Sequence, residues 1–187
     1  MKKNIIIAGT ARAGKSTLCS MLSKELGYQH ISMDAIIEGF EDVFPELGID
    51  THTNSIMSIS KKVTPFVNAL LHSGEYDKFD YGMVIDVCQL MPEDYVNHIN
   101  RDLCDIFYLI TESDTAEERL SVLEAFDTEK EYTFSKTHEK KMILCQEIIE
   151  ESQVFKKQCE DHKLPVIDTL HDRQDKLEAL LLQIKVG

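Results

Sequence analysis

Residues 4–17 read NIIIAGTARAGKST. Asn4 to Ala8 form an apolar, β-branched run with the composition of a buried strand. Beyond the glycine-containing turn, Leu18, Met21, Leu22 and Leu26 recur at helical spacing until Gly27 stops them. The local order is therefore strand, loop, helix. Gly9, Gly14, Lys15 and Ser16 stand at the spacing G-x-x-x-x-G-K-S, and a strand before with a helix after is the context in which that spacing binds phosphate. Glycines let the main chain curl around phosphate oxygens, successive N–H groups point inward, and the helix start offers its partial positive charge to the anion. The cradle comprises Gly9, Thr10, Ala11, Arg12, Ala13, Gly14, Lys15, Ser16 and Thr17. Lys15 reaches the terminal phosphates in such a loop, and the Ser16 hydroxyl ligates magnesium.

Further strands are expected at 28–32 (YQHIS), 83–86 (MVID), 105–110 (DIFYLI) and 164–168 (LPVID). Helical patterns lie near 54–72, 93–100, 114–126, 138–161 and 172–185, with Pro65 expected to kink or split the first. Strands alternating with helices imply an α/β fold, a parallel sheet covered on both faces. In the longest helix, Cys145, Ile148, Ile149, Ser152, Phe155 and Cys159 trace one apolar face, which assigns Glu147, Glu150, Glu151 and Lys157 to the wet side. The irregular stretches 40–53 and 127–137 are the expected substrate-facing loops.

A length of 187 residues suits one domain over 1–187. No run of apolar residues is long enough to span a bilayer, and the short run in MKKNIIIAG lacks a cleavage region, so neither a membrane span nor a signal peptide is expected. Five scattered cysteines without a C-x-x-C pair argue against a disulfide framework and for a reducing, cytoplasmic setting. The seven histidines show no zinc-binding spacing, and His30 on the second strand is either a polar neighbour of the site or, the reading preferred, an ordinary satisfied and partly buried histidine. A net charge of −13 repels a polyanionic backbone, so no nucleic-acid partner is expected.

Two aspartates extend the phosphate chemistry. Asp86 ends the MVID run, where an acidic residue holds magnesium beside a phosphate-binding loop; the alternative is a cap for the segment that follows. Asp34 follows the second strand and opens a helix, a position from which a carboxylate orients an acceptor hydroxyl or takes its proton, or simply caps the helix.

GTARAGKST, the ISMD segment, the VIDVCQL strand end and a long helical stretch before a last short strand resemble the small P-loop kinases, the group of adenylate, shikimate and gluconate kinases. The resemblance follows the order of elements along nearly the whole chain. It implies a three-layer α/β fold with a parallel five-stranded sheet of order 2-3-1-4-5 and a helical lid near 119–140. It also implies ATP with magnesium as donor, and a small-molecule acceptor bound over 34–75. Arg119 is then the candidate for stabilising transition-state charge, and Arg173 falls where related kinases stack on adenine; Arg12 touches phosphate or points to solvent.

The departures concern the acceptor. Guanidinium groups grip phosphate bidentately, yet the arginines are only Arg12, Arg101, Arg119 and Arg173, none of them in the acceptor region. Asp34, Glu38, Glu41, Asp42, Glu46 and Asp50 crowd 34–50 without a lysine or arginine, which points to a neutral or cationic acceptor unless most of these acids form a solvated helix face. Lys61, Lys62 or His52 folding back onto an anion is the competing possibility. Two other readings stay open: a nucleotide-binding regulatory ATPase acting on a protein partner, and an atypical nucleoside monophosphate kinase. Nothing in the sequence sets the oligomeric state.

Overall fold

The computed structural model describes residues 3–51, 53–73 and 82–186. Strands β1 (Asn4–Gly9), β2 (Gln29–Ser32), β3 (Met83–Val87), β4 (Cys104–Ile110) and β5 (Val166–Asp168) form one parallel sheet in the order β2-β3-β1-β4-β5. Helices α1 (Lys15–Leu26), α2 (Met33–Val43), α3 (Ile56–Leu71), α4 (Pro92–His98), α5 (Ala116–Ala125), α6 (His138–His162) and α7 (Arg173–Val186) surround it. The expected order and the two-faced covering are both present.

Alternation along β1 divides the core. Ile5 and Ile7 face α1 and α7, where Leu18, Leu22, Leu177 and Leu181 are buried with them. Ile6 and Ala8 face the other layer with Val63, Val67, Tyr95 and Phe155. Both sides of β1 are therefore dry, which is why its sequence is a continuous apolar run.

Two elements differ from expectation. Pro65 does not split its segment: α3 runs unbroken from Ile56 to Leu71. Its start is fixed instead by Ser55, whose side chain accepts from the Ser58 N–H. Asp34 is not the cap of its helix; Ser32 holds the N-cap position of α2, and Asp34 lies inside the first turn.

Candidate active site

The sheet order puts β1 and β3 side by side, with Ile7 paired to Asp86 and Ser32 also level with Asp86. Their carboxyl ends, and the helices that follow, converge on one corner. The loop there depends on main-chain conformation. Gly9 has φ +119°, and a Cβ on it would stand 1.9 Å from the Leu109 carbonyl oxygen, so no larger residue fits. Arg12 and Gly14 are also left-handed, at φ 59° and 95°. Left-handed residues interleaved with right-handed ones turn successive N–H groups toward a common centre. The start of α1 has no side-chain cap, leaving its amides to a ligand. Thr169, just after β5, donates to the Ala13 carbonyl at 2.7 Å and braces the loop from behind.

Lys15 is only 5% exposed and folds back to donate to the Thr10 carbonyl at 2.7 Å. Burial works against its charge, but Cys88, Asp86 and Asp34 hold its pKa above the usual lysine value. Ser16 Oγ donates to Asp86 Oδ2 at 2.6 Å. Burial alone would raise the Asp86 carboxyl; His30, Lys15 and the Ser16 hydroxyl overcome it and keep the group below the ordinary range. Asp86 therefore caps nothing in α4, whose N-cap position is Met91.

These groups floor a cleft of about 910 Å³. On one side stand Asp34, Glu38 and Glu41 of α2. Asp34 accepts from the Gln89 side chain, and desolvation in the cleft raises its carboxyl despite the nearby Lys15 charge. On the opposite side stand Glu131 and Tyr132, together with Glu147 and Glu151 of α6. Glu147 is exposed, as expected of the wet side, but Glu151 is half-buried; both line the cleft, and burial, reinforced by Glu147, pushes the Glu151 carboxyl up to about 7. Helical periodicity shows which residues face the core but not that a distant loop covers the remaining face. Cys88 and Gln89 were also missed, although their place directly after the strand end that carries Asp86 was a usable signal.

Lys61 and Lys62 do not line the cleft, and the Lys62 ammonium is spent on the Gly48 carbonyl. His52, Gly74 and Glu75 of the expected acceptor region lie outside the described residues.

The arginines occupy the other end. Arg12 pairs with Asp127 at 3.2 Å and with Glu131, and donates to the Phe126 carbonyl at 3.2 Å. Lys141 and the Thr133 hydroxyl also bond Asp127, so the stretch between α5 and α6 is fastened onto the loop. Arg173 lies over the Phe126 ring at 4.1 Å from its centroid and donates to the Arg12 carbonyl at 3.0 Å. Burial, then Arg119 and Arg12, lower its pKa to about 10. Arg119 is fully buried beneath the loop, with Nη2 at 3.5 and 3.4 Å from the Ala11 and Arg12 carbonyls. Its guanidinium does not line the cleft. Arg119 Nε and Nη1 and Arg173 Nε have no partner, and no carboxylate among the described residues pairs with either arginine.

No protein-family profile matches the chain, and no curated protein is significantly similar to it. Solved structures are similar throughout. A sugar kinase from a Janibacter species superposes with a TM-score of 0.61 at 13% identity, covering 100% of this chain and 96% of the other. The fold is that of the small P-loop kinases. A shikimate kinase from Bacteroides thetaiotaomicron shares this P-loop kinase fold at TM-score 0.57 and 14% identity, over 98% of this chain and 96% of that one. A gluconokinase from Sinorhizobium meliloti does so at 0.56 and 16%, over 98% and 92%. Among the described residues of this P-loop kinase fold, no helix is long and apolar enough to cross a membrane.

Proposed function

We propose that the chain is a kinase transferring the terminal phosphoryl group of ATP to a hydroxyl of a neutral or cationic small molecule. The observation that carries this reading is that Lys15, the Ser16–Asp86 pair and Asp34 meet in one cleft at the mouth of the glycine loop. The neighbours named as kinases support the same reaction class.

The residues fit both groups the reaction needs. An uncapped helix start behind a loop with left-handed turns at Arg12 and Gly14 suits a polyphosphate, and a hydroxyl with a carboxylate suits hard magnesium. Magnesium, when bound, neutralises developing charge on the phosphates. Ser16 and Asp86 would hold it, and the amides of residues 10–17 with Lys15 would hold the phosphates. Asp34, fixed by Gln89, orients the acceptor hydroxyl and accepts its proton. Arg119 adds positive charge beneath the cradle, Arg173 stands at the nucleotide end, and Arg12 couples the cradle to residues 127–137. The acceptor sits between α2 and α6, under a lid within 119–140. Asp34, Glu38, Glu41, Glu147 and Glu151 face that space, which disfavours an anion. Five free thiols support a cytoplasmic setting.

The test is ATP consumption by the full chain against nucleosides, nucleoside monophosphates, sugars, amino sugars and amino alcohols, with Lys15→Ala as control. Stimulation by a neutral or cationic alcohol that is lost in the variant is expected. Strong turnover of a nucleoside monophosphate would overturn the acceptor class. ATP binding without any stimulated turnover would favour the regulatory ATPase.

A further inference from the structure

Cys19, His30 and Asp86 come from α1, β2 and β3, and one donor atom of each lies within 4.8 Å of the other two. Local geometry explains the meeting. Cys19 follows Ser16 by three residues, so both point from the same side of α1 toward Asp86. His30 is level with Val84, two residues before Asp86, so His30 and Asp86 project from the same face of adjacent strands. His30 Nε2 is 3.6 Å from Asp86 Oδ2. Tetrahedral zinc, with ligands at about 2.0–2.3 Å, needs ligand-to-ligand separations of roughly 3.3–3.8 Å. The imidazole and carboxylate already meet that requirement, and the Cys19 sulfur lies within 4.8 Å of both.

We propose that Cys19, His30 and Asp86 bind a thiophilic divalent cation, zinc, at the shoulder of the phosphate cradle. Thiolate, imidazole and carboxylate supply three ligands, and water takes the fourth position. Binding releases the Cys19 thiol proton to solvent, against burial and Asp86, which raise that thiol and outweigh the opposing pull of Lys15, and the thiolate and carboxylate together balance the two charges of the ion. Magnesium, which prefers oxygen, discriminates against this sulfur and nitrogen set and favours the Ser16 side of Asp86. The two ions therefore compete for one carboxylate, and zinc inhibits magnesium-dependent turnover. That inhibition rests on the proposed kinase reading; the binding itself does not.

The test uses the metal-free full chain without nucleotide, titrated with zinc against a chromophoric chelator and separately with cobalt(II). Wild type should bind one zinc, and cobalt should add a thiolate-to-metal charge-transfer band in the near ultraviolet. Even the loss of an outer-shell partner costs about 10–100-fold in metal affinity, so Cys19→Ser and His30→Gln should each weaken zinc at least tenfold. Cys19→Ser should also abolish the cobalt band, whereas Cys88→Ser should keep both signals. Cys19 is buried, so circular dichroism accompanies each variant; if Cys19→Ser does not fold, His30→Gln, at a half-exposed position, decides. Absence of zinc in wild type, undiminished affinity in folded His30→Gln or Cys19→Ser, or loss of the band in Cys88→Ser would overturn the proposal.

Discussion

Lys15 keeps its charge while almost wholly enclosed, because Cys88, Asp86 and Asp34 surround it. In the proposed reaction that charge meets the phosphates where water is scarce, and removing one preorganised donor from such a place costs on the order of a hundredfold to a thousandfold. Lys15→Ala should lower kcat/KM for ATP by that factor in a coupled assay. Asp34→Asn should reduce kcat while leaving the ATP dissociation constant nearly unchanged. Since desolvation raises the Asp34 carboxyl, the acid limb of the wild-type kcat profile should lie above the ordinary aspartate range and vanish in the variant. Glu151 titrates at about 7, so KM for a cationic acceptor should fall as pH rises through that value and become flat in Glu151→Gln. The same shift has a stability sign. A carboxyl raised from 4.5 to about 7 makes the folded state hold more protons between those values, so stability declines as pH rises through the window. Thermal melts should therefore favour Glu151→Gln increasingly from about pH 5 to about pH 8. The loop residues were legible because their spacing is local. The cleft role of Glu151 was not, because residues far along the chain create its surroundings.

At the scale of elements, β1 ends against β4 with no room for a side chain at Gly9. Gly9→Ala combines a clash with main chain and a forbidden φ, and should cost about 3 kcal/mol, read as a lower denaturation midpoint in urea. The stretch between α5 and α6 is held by Asp127, a low-exposure carboxylate that Thr133, Lys141 and Arg12 keep below its usual pKa against the effect of burial. Asp127→Ala should accelerate limited proteolysis within 127–137 and weaken nucleotide binding. Strands and helices were readable from their periods, with boundaries off by a residue or two. Pro65 misled because proline disfavours a helix interior, yet buried Val63, Thr64 and Val67 pin α3 on both sides of it. The Asp127 ties were invisible because Arg12 lies more than a hundred positions away.

At the scale of the molecule, the sheet divides the work: its carboxyl edge collects the charged groups, and its two faces carry dry cores. The parallel sheet covered on both faces was readable from the alternation of element types, whereas the order of its strands came only with the resemblance to the small P-loop kinases. Ligand binding should register globally. Magnesium-ATP at a hundred times its dissociation constant should add about 2.7 kcal/mol of stability, seen as a rise in Tm that Lys15→Ala loses.

The grip that Arg12 exerts has two arms of unequal kind: Asp127 is shielded at 4% side-chain exposure, whereas Glu131 stands open at 38%. Dissolved ions screen an open pair and barely reach a shielded one. Raising the salt therefore slackens this clasp by one notch without undoing it, so protease should nick 127–137 somewhat faster in brine while the shielded arm stays fastened.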